Sequence, residues 1–373
     1  MGQGWALDIM VAKELPDSFE GWVERARATL DEERFRYITS GAGRGETVGT
    51  NIESFKKWKV VPRVLRDVRN RTSSTTILGT RVSAPILLAP VRGLGYIHRD
   101  GDIGAARAAA RLEIPLIVSS FASTTLEKIA ESMGTEPRWF QLYPGNDKEI
   151  MANLLRRAEA TGYSAVVVTV DKPDDYPKYS GPRGHEHDRH GYELYFSDPT
   201  FRKKFDGAPE EKFEEAWRYW KEIRLAPGFP PEDLRHLATL TRLPIVVKGV
   251  LNPKDAELAR DNGAAGVVVS NHGGRSLDGE IASLDALVGV RNAVGEEFPV
   301  LLDSGVHSGT DILKAVALGA NAVLVGKAYL LALGVAGEEG VTKVLAQLIR
   351  EFASAMAVCG ATTVKEIDRS MVQ

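Results

Sequence analysis

Short apolar runs recur along most of this chain, each followed by a stretch with helical spacing. Eight stand out: Ala84–Ala89, Pro115–Ser120, Trp139–Tyr143, Ala165–Asp171, Pro244–Val250, Gly266–Ser270, Pro299–Asp303 and Ala322–Gly326. They are strand-length, and apolar almost throughout, as strands covered on both faces are. The intervening segments Ile103–Leu112, Leu126–Ser132, Lys148–Thr161, Pro253–Asn262 and Asp311–Leu318 place apolar residues every three or four positions, which predicts helices. Eight alternating β and α units imply an α/β fold, a (β/α)8 TIM barrel, with its site at the C-terminal ends of the strands. A doubly wound sheet is the rival, but no Gly-rich dinucleotide fingerprint follows the first run. Residues 17–40 read as an added N-terminal helical segment that breaks at Ser40–Gly43, and residues 328–358 as closing helices. The whole chain, 1–373, is read as one domain.

One interval breaks the rhythm. Between Asp171 and Pro244 lies a long polar stretch, 174–230. It leaves the top of the fourth strand, so it is expected to be a lid-like or mobile loop over the site.

Composition narrows the function class. With 43% hydrophobic and 26% charged residues and a formal net charge of -3, the chain reads as globular and soluble. Bulk charge gives it no reason to bind nucleic acid or an anionic membrane. The single Cys359 excludes an internal disulfide framework and is expected to pack as a small apolar residue. No secretory signal or membrane span is visible, so the expected location is the cytoplasm.

The polar residues at the strand ends carry the candidate chemistry. They are Pro90-Val91-Arg92, Ser119-Ser120, Gln141 with Tyr143, Thr169 with Asp171, Lys248, Ser270 with His272 and Arg275, Asp303, and Gly326-Lys327. His272 and Arg275 follow the sixth run within Asn271-His272-Gly273-Gly274-Arg275. An imidazole takes up a proton near neutral pH, and a guanidinium grips a carboxylate through two hydrogen bonds. That pair suits oxidation of an anionic hydroxy acid, although a buried His and a surface Arg would read the same way in isolation. The run His185-Glu186-His187-Asp188-Arg189-His190 resembles a metal motif, but its aspartate falls one place early for a dinuclear site, and no metal is expected.

The stretch SNHGGRSLDG at 270–279 resembles the signature of the FMN-dependent α-hydroxy acid oxidases and dehydrogenases. The likeness runs from about Leu15 to about Ile367, and the phrase SDPTFRKKF at 197–205 is most similar to lactate monooxygenase. The resemblance implies FMN as cofactor, His272 as base, Asp171 as the carboxylate that orients it, and Tyr143 against the substrate hydroxyl. It implies Tyr37 and Arg275 for the substrate carboxylate and Lys248 beside the flavin N1–O2 edge. Flavin contacts fall on Pro90, Val91, Ser119, Gln141, Thr169 and Ser270, a ribityl contact on Asp303, and the phosphate on Ser304, Gly305, His307, Gly326 and Lys327. A small (S)-2-hydroxy acid such as lactate, glycolate or mandelate would become the 2-oxo acid, its electrons passing to flavin N5 and then to O2. Tetrameric or octameric assembly is also implied.

Four matched positions depart from that family. A second carboxylate-binding arginine falls on Lys178, with Arg183 five residues on, and two phosphate-binding arginines fall on His307 and Lys327. A small residue beside the reactive flavin face falls on Arg92. Arg92 is read either as a substrate contact, replacing the lost fork or meeting a second anionic group, or as a side chain turned to solvent or to a loop carboxylate. A specialised hydroxy acid or amine as substrate, and a catalytically silent barrel, are the alternative readings.

Overall fold

The computed structural model describes residues 15–172 and 190–373. An antiparallel hairpin, β1 (Thr75–Ile77) and β2 (Thr80–Val82), precedes eight parallel strands. These are β3 (Ile86–Leu88), β4 (Leu116–Ser119), β5 (Arg138–Leu142), β6 (Val166–Thr169), β7 (Ile245–Val250), β8 (Gly266–Val269), β9 (Val300–Leu302) and β10 (Ala322–Val325). They close in the order β10-β3-β4-β5-β6-β7-β8-β9. All eight lie within the apolar runs marked in the sequence, apart from Arg138 at the start of β5. The (β/α)8 expectation holds, and the doubly wound alternative falls because β10 pairs with β3 and leaves no open edge.

Alternation along each strand splits the core in two. Leu87, Ile117, Trp139, Val167, Val246, Val268, Leu301 and Leu324 point inward, joined by Ile77 and Val82 of the hairpin. Their neighbours Ile86, Leu88, Val118, Phe140, Val166 and Val269 point outward against the helices. Burying a side chain of this size contributes about 1.5–3 kcal/mol, so a one-residue slip in register would interchange two fully apolar faces. That double burial is why the runs show no polar alternation.

The helices lie close to their predicted places, at Gly101–Arg111, Leu126–Met133, Lys148–Ala160, Pro253–Asp261 and Gly309–Ala317. Polar caps set their starts: Thr125, Asp147 and Asn252 each accept a backbone amide of the first turn, and Ser308 with Asp311 forms a capping box. The N-terminal segment divides into Phe19–Thr29 and Glu32–Thr39, because Asp31 caps a new helix rather than continuing the first. A further helix, Glu46–Lys57, has its start held by Asp278, whose carboxylate accepts the amides of Arg44 and Thr47 at 2.7 and 3.0 Å. The closing helix, Lys327–Val358, breaks at Ala336 and Gly337.

The long stretch after β6, expected as a lid-like or mobile loop, carries helices in its described part, Glu193–Phe196, Pro199–Arg202 and Phe213–Ile223. Tyr195, Phe196, Phe201 and Trp220 are buried together. Asp198 anchors the segment. Fully buried, it accepts the Thr200 and Phe201 amides and bonds Asn153 at 2.7 Å and Arg157 at 3.1 Å. The phrase SDPTFRKKF is therefore a capped, packed turn that does not line the cavity described below. Lys178, Arg183 and residues 185–189 of the histidine-rich run lie outside the described residues.

Candidate active site

A cavity of about 580 Å³ opens at the C-terminal ends of the strands, within the range of small-molecule and cofactor sites. Its walls carry Tyr37, Pro90, Val91, Arg92, Ser119, Tyr143, Lys248, His272, Arg275, Asp303, Ser304, Gly305, His307, Gly326 and Lys327. Most of the candidates scattered over some 290 residues of sequence thus meet in one place. Gln141, Thr169 and Ser270 are buried one layer beneath. Gln141 accepts from Ser119 Oγ at 3.2 Å and donates to Thr169 Oγ1 at 3.1 Å, which fixes the amide's orientation. Ser270 Oγ accepts from Lys248 Nζ at 2.8 Å and from the His272 amide at 3.0 Å.

His272 stands at the centre, just past β8, with φ at +59°. The left-handed region is sparsely used by residues with a side chain, and such strain concentrates at functional sites. The bend aims both ring nitrogens. Nδ1 lies 3.0 Å from Asp171 Oδ1, and Nε2 lies 3.5 Å from the Tyr143 hydroxyl. Burial pushes the His272 pKa below its ordinary value; Asp171 opposes that shift and Lys248 adds to it. His272 is then neutral at neutral pH, the form a base needs. Burial would raise the Asp171 carboxyl, but His272 and the nearby Lys248 and Lys172 charges outweigh it and hold it down to about 2.

Gly249 makes this arrangement possible. It has φ of +105° at a register shift in β7, and a Cβ there would lie 2.5 Å from the Asp171 Cβ. Only glycine fits both the conformation and the approach.

Lys248 projects from β7 and pairs with Asp303 at 2.9 Å, with both side chains nearly inaccessible. Asp303 also accepts from Ser304, whose hydroxyl in turn accepts the Gly273 amide at 2.9 Å. The pair links the strand ends and leaves an ammonium on the cavity wall. Arg275 packs over the Tyr37 ring, its carbon 5.2 Å from the centroid, and donates to the Tyr37 and Ile38 carbonyls. The Tyr37 hydroxyl donates to the Arg92 carbonyl at 2.9 Å.

At the far end of the cavity, Gly305 and Gly326 line the wall beside His307 and Lys327. His307 stacks on Phe19, centroids 3.5 Å apart, and burial with the Lys327 charge pushes its pKa to about 3. Burial and Arg275 bring Lys327 down to about 7. A cation so close to losing its proton is one that a bound phosphate would recharge.

Lys172, Phe19, Val23 and Arg224 line the cavity without having been candidates from the sequence. Lys172 lines the cavity and donates to the Arg275 carbonyl at 2.9 Å; its place next to Asp171 at a strand end was the available signal. Phe19 and Val23 wall the cavity from the N-terminal helix. Arg224 lines it from the end of Phe213–Ile223, and no motif marks it.

Residues 26–373 match the family model described as FMN-dependent dehydrogenase. The chain belongs to the FMN-dependent dehydrogenase family. It is 39% identical to the 2-hydroxyacid oxidase 1 of Homo sapiens over 358 residues, covering 94% of each chain. It is 41% identical to an L-lactate oxidase of Alicycliphilus denitrificans over 349 residues, covering 92% of each. Among solved structures, mandelate oxidase superposes with a TM-score of 0.84 at 33% identity, covering 96% of this chain and 98% of that one. FMN is the cofactor of this family member. The cavity fits it: the Gly305 and Gly326 backbone turns stand at one end beside His307 and Lys327, two nitrogen groups able to meet a phosphate, and the buried Lys248 ammonium lies on the wall.

Proposed function

We infer that this family member oxidises a 2-hydroxy acid to the 2-oxo acid, and the observation that carries the reading is the Asp171–His272–Tyr143 alignment facing Arg275 and Tyr37. Arg275 and Tyr37 hold the substrate carboxylate. A guanidinium braced by two backbone carbonyls is preorganised and loses little freedom on binding. The Tyr143 hydroxyl and His272 Nε2 converge where the substrate's hydroxyl-bearing carbon would sit. Burial holds the Tyr143 hydroxyl well above the usual phenol range, so it stays a donor. His272 accepts the substrate proton at Nε2, and Asp171 stabilises the imidazolium that results. FMN supplies the two-electron acceptor. Lys248, a charge already in place on the cavity wall, would lie beside the flavin and support that acceptor role.

Ser119, Gln141, Thr169, Ser270 and Asp303 with Pro90 and Val91 would seat the flavin ring and ribityl chain. Ser304, Gly305, His307, Gly326 and Lys327 would seat the phosphate. Lactate and mandelate are supported as substrates by what the relatives are named for, with glycolate as a smaller 2-hydroxy acid of the same class. Oxygen as final acceptor rests on the same support, since oxidases lead those relatives. A homotetramer or octamer fits the exposed side chains of Val64 and Leu65, and a cytoplasmic location fits the buried free thiol of Cys359. Among the described residues no helix is long and apolar enough to cross a membrane.

The test is an anaerobic visible spectrum of the FMN-loaded protein during titration with 2-hydroxy acids. Bleaching of the flavin band supports the reading, and re-aeration that restores it supports oxygen as acceptor. A band that no 2-hydroxy acid bleaches overturns it.

A further inference from the structure

His272 and Arg275 sit at the two ends of one short loop, and the residues between them, Gly273 and Gly274, take φ of +70° and +76°. Glycines adopt that backbone freely, so the loop by itself fixes the spacing of base and carboxylate clamp only weakly. Asn271 holds the turn from inside. Its side-chain oxygen accepts the Gly274 amide at 3.0 Å, and its carbonyl accepts the Arg275 amide at 3.3 Å. From outside the loop, Lys172 reaches the Arg275 backbone, its Nζ donating to the Arg275 carbonyl at 2.9 Å. At the other end of the same residue, the Tyr37 and Ile38 carbonyls hold the guanidinium. The clamp is therefore pinned at its backbone by one element and at its tip by another.

Lys172 directly follows Asp171, whose Oδ1 lies 3.0 Å from His272 Nδ1. The end of β6 thus grips both ends of the loop after β8: Asp171 holds the base and Lys172 holds the clamp. A donor from elsewhere would tie Arg275 to the barrel without tying it to the base. The ammonium also lines the cavity, where its charge acts on the same pair. It favours an ionised Asp171 and disfavours a charged His272. Among the described residues, the groups facing His272 are Asp171 and Lys172 from the end of β6, Lys248 from β7 and Tyr143 from the end of β5. Glu280, beyond the loop, feels the Asp171 and Lys172 charges, and burial raises its pKa.

We propose that Lys172 is a positioning residue for the oxidation: by holding the Arg275 carbonyl to the strand end that carries Asp171, it fixes the carboxylate clamp relative to the base. This rests on the hydroxy-acid reading of the site. One bond joins the substrate's carboxylate to its hydroxyl-bearing carbon, so a clamp that drifts carries the reacting carbon away from His272 Nε2. A lysine suits the task, since its ammonium makes a charge-assisted hydrogen bond to the carbonyl and places a cation on the wall that meets an anionic substrate.

The experiment is anaerobic stopped-flow reduction of the FMN holoenzyme and of Lys172→Met and Lys172→Arg by (S)-lactate, glycolate and (S)-mandelate across the pH range. Lys172→Met is expected to lower the limiting reduction rate by about 10²-fold, as a displaced clamp predicts. Loss of a wall charge alone would raise the half-saturating concentration and leave that limiting rate in place. The acid limb should rise by about half a pH unit or more, because His272 loses a neighbouring cation. Lys172→Arg, which keeps donor and charge, should restore the limb and part of the rate. A limiting rate at the parental value in Lys172→Met, whether or not the limb moves, overturns the proposal. So does an equal loss in both variants with an unmoved limb, which would mark a side chain needed only for stability. Should Lys172→Met not fold, Lys172→Gln, a shorter and uncharged donor, takes its place, and a parental limiting rate there overturns the proposal equally. Those outcomes leave the hydroxy-acid reading standing. Failure of every 2-hydroxy acid to reduce the unaltered enzyme overturns that reading and the proposal with it.

Discussion

Asp171 holds His272 through one carboxylate oxygen, Oδ1 to Nδ1 at 3.0 Å, while its other oxygen, Oδ2, is buried without a hydrogen-bond partner among the described residues. An anion so placed has its charge directed at the imidazole and at the cations behind it. Asp171 is the group that opposes the burial-driven fall in the His272 pKa. In Asp171→Asn that opposition is lost and the imidazolium formed in the reaction is unsupported. The acid limb of the kcat/KM profile, which lies below the ordinary histidine value of 6.5, should move to still lower pH. The plateau should fall by about 10²–10⁴-fold. An unchanged plateau with an unchanged limb would show that Asp171 is not coupled to the base.

Gly249→Ala tests the same pair from behind. A methyl group 2.5 Å from the Asp171 Cβ, on a residue at φ of +105°, must displace the carboxylate or the strand. We expect a stability loss of about 1–3 kcal/mol from the backbone alone and a fall in kcat similar to that of Asp171→Asn. Denaturant unfolding and steady-state kinetics on one preparation separate the two effects.

FMN affinity should depend on pH through Lys327. Its pKa in the cofactor-free protein is about 7, and phosphate beside it would raise that value. Binding then takes up a proton above pH 7, so affinity is highest below that value and declines as pH rises toward 9. Flavin fluorescence titrations from pH 6 to 9 read the slope, and Lys327→Met should flatten it. His307, at about 3, remains neutral throughout that window unless phosphate recharges it.

Asp198→Ala addresses the segment after β6. It removes a helix cap and takes from Arg157 one of its two carboxylate partners, leaving Glu127. A cost of about 3 kcal/mol is expected, read as a lower midpoint of unfolding. The loss of order should be greatest around 193–223, where hydrogen exchange would show it. A midpoint unchanged from the parent would mean the segment is held by its aromatic packing alone.

The barrel was legible in the sequence because strands buried on both faces must be apolar at every position, and eight such runs admit few closures. The chemistry at the strand ends was legible too, since a His, an Asp and a buried Lys are costly at those positions without a task. The sequence marked His272, Asp171, Tyr143 and Arg275, but not that Gly249 clears the space for Asp171 or that Asp303 takes the Lys248 charge. Those are contacts between segments far apart in the chain, and no local pattern encodes them. The same reason hid Arg224, which reaches the cavity only because Asp198, Phe201 and Trp220 fold the long polar stretch against the barrel. Local hydrophobic period determined the architecture and the strand-end residues. Which charges face one another, and across which aromatic rings, was decided by tertiary packing alone.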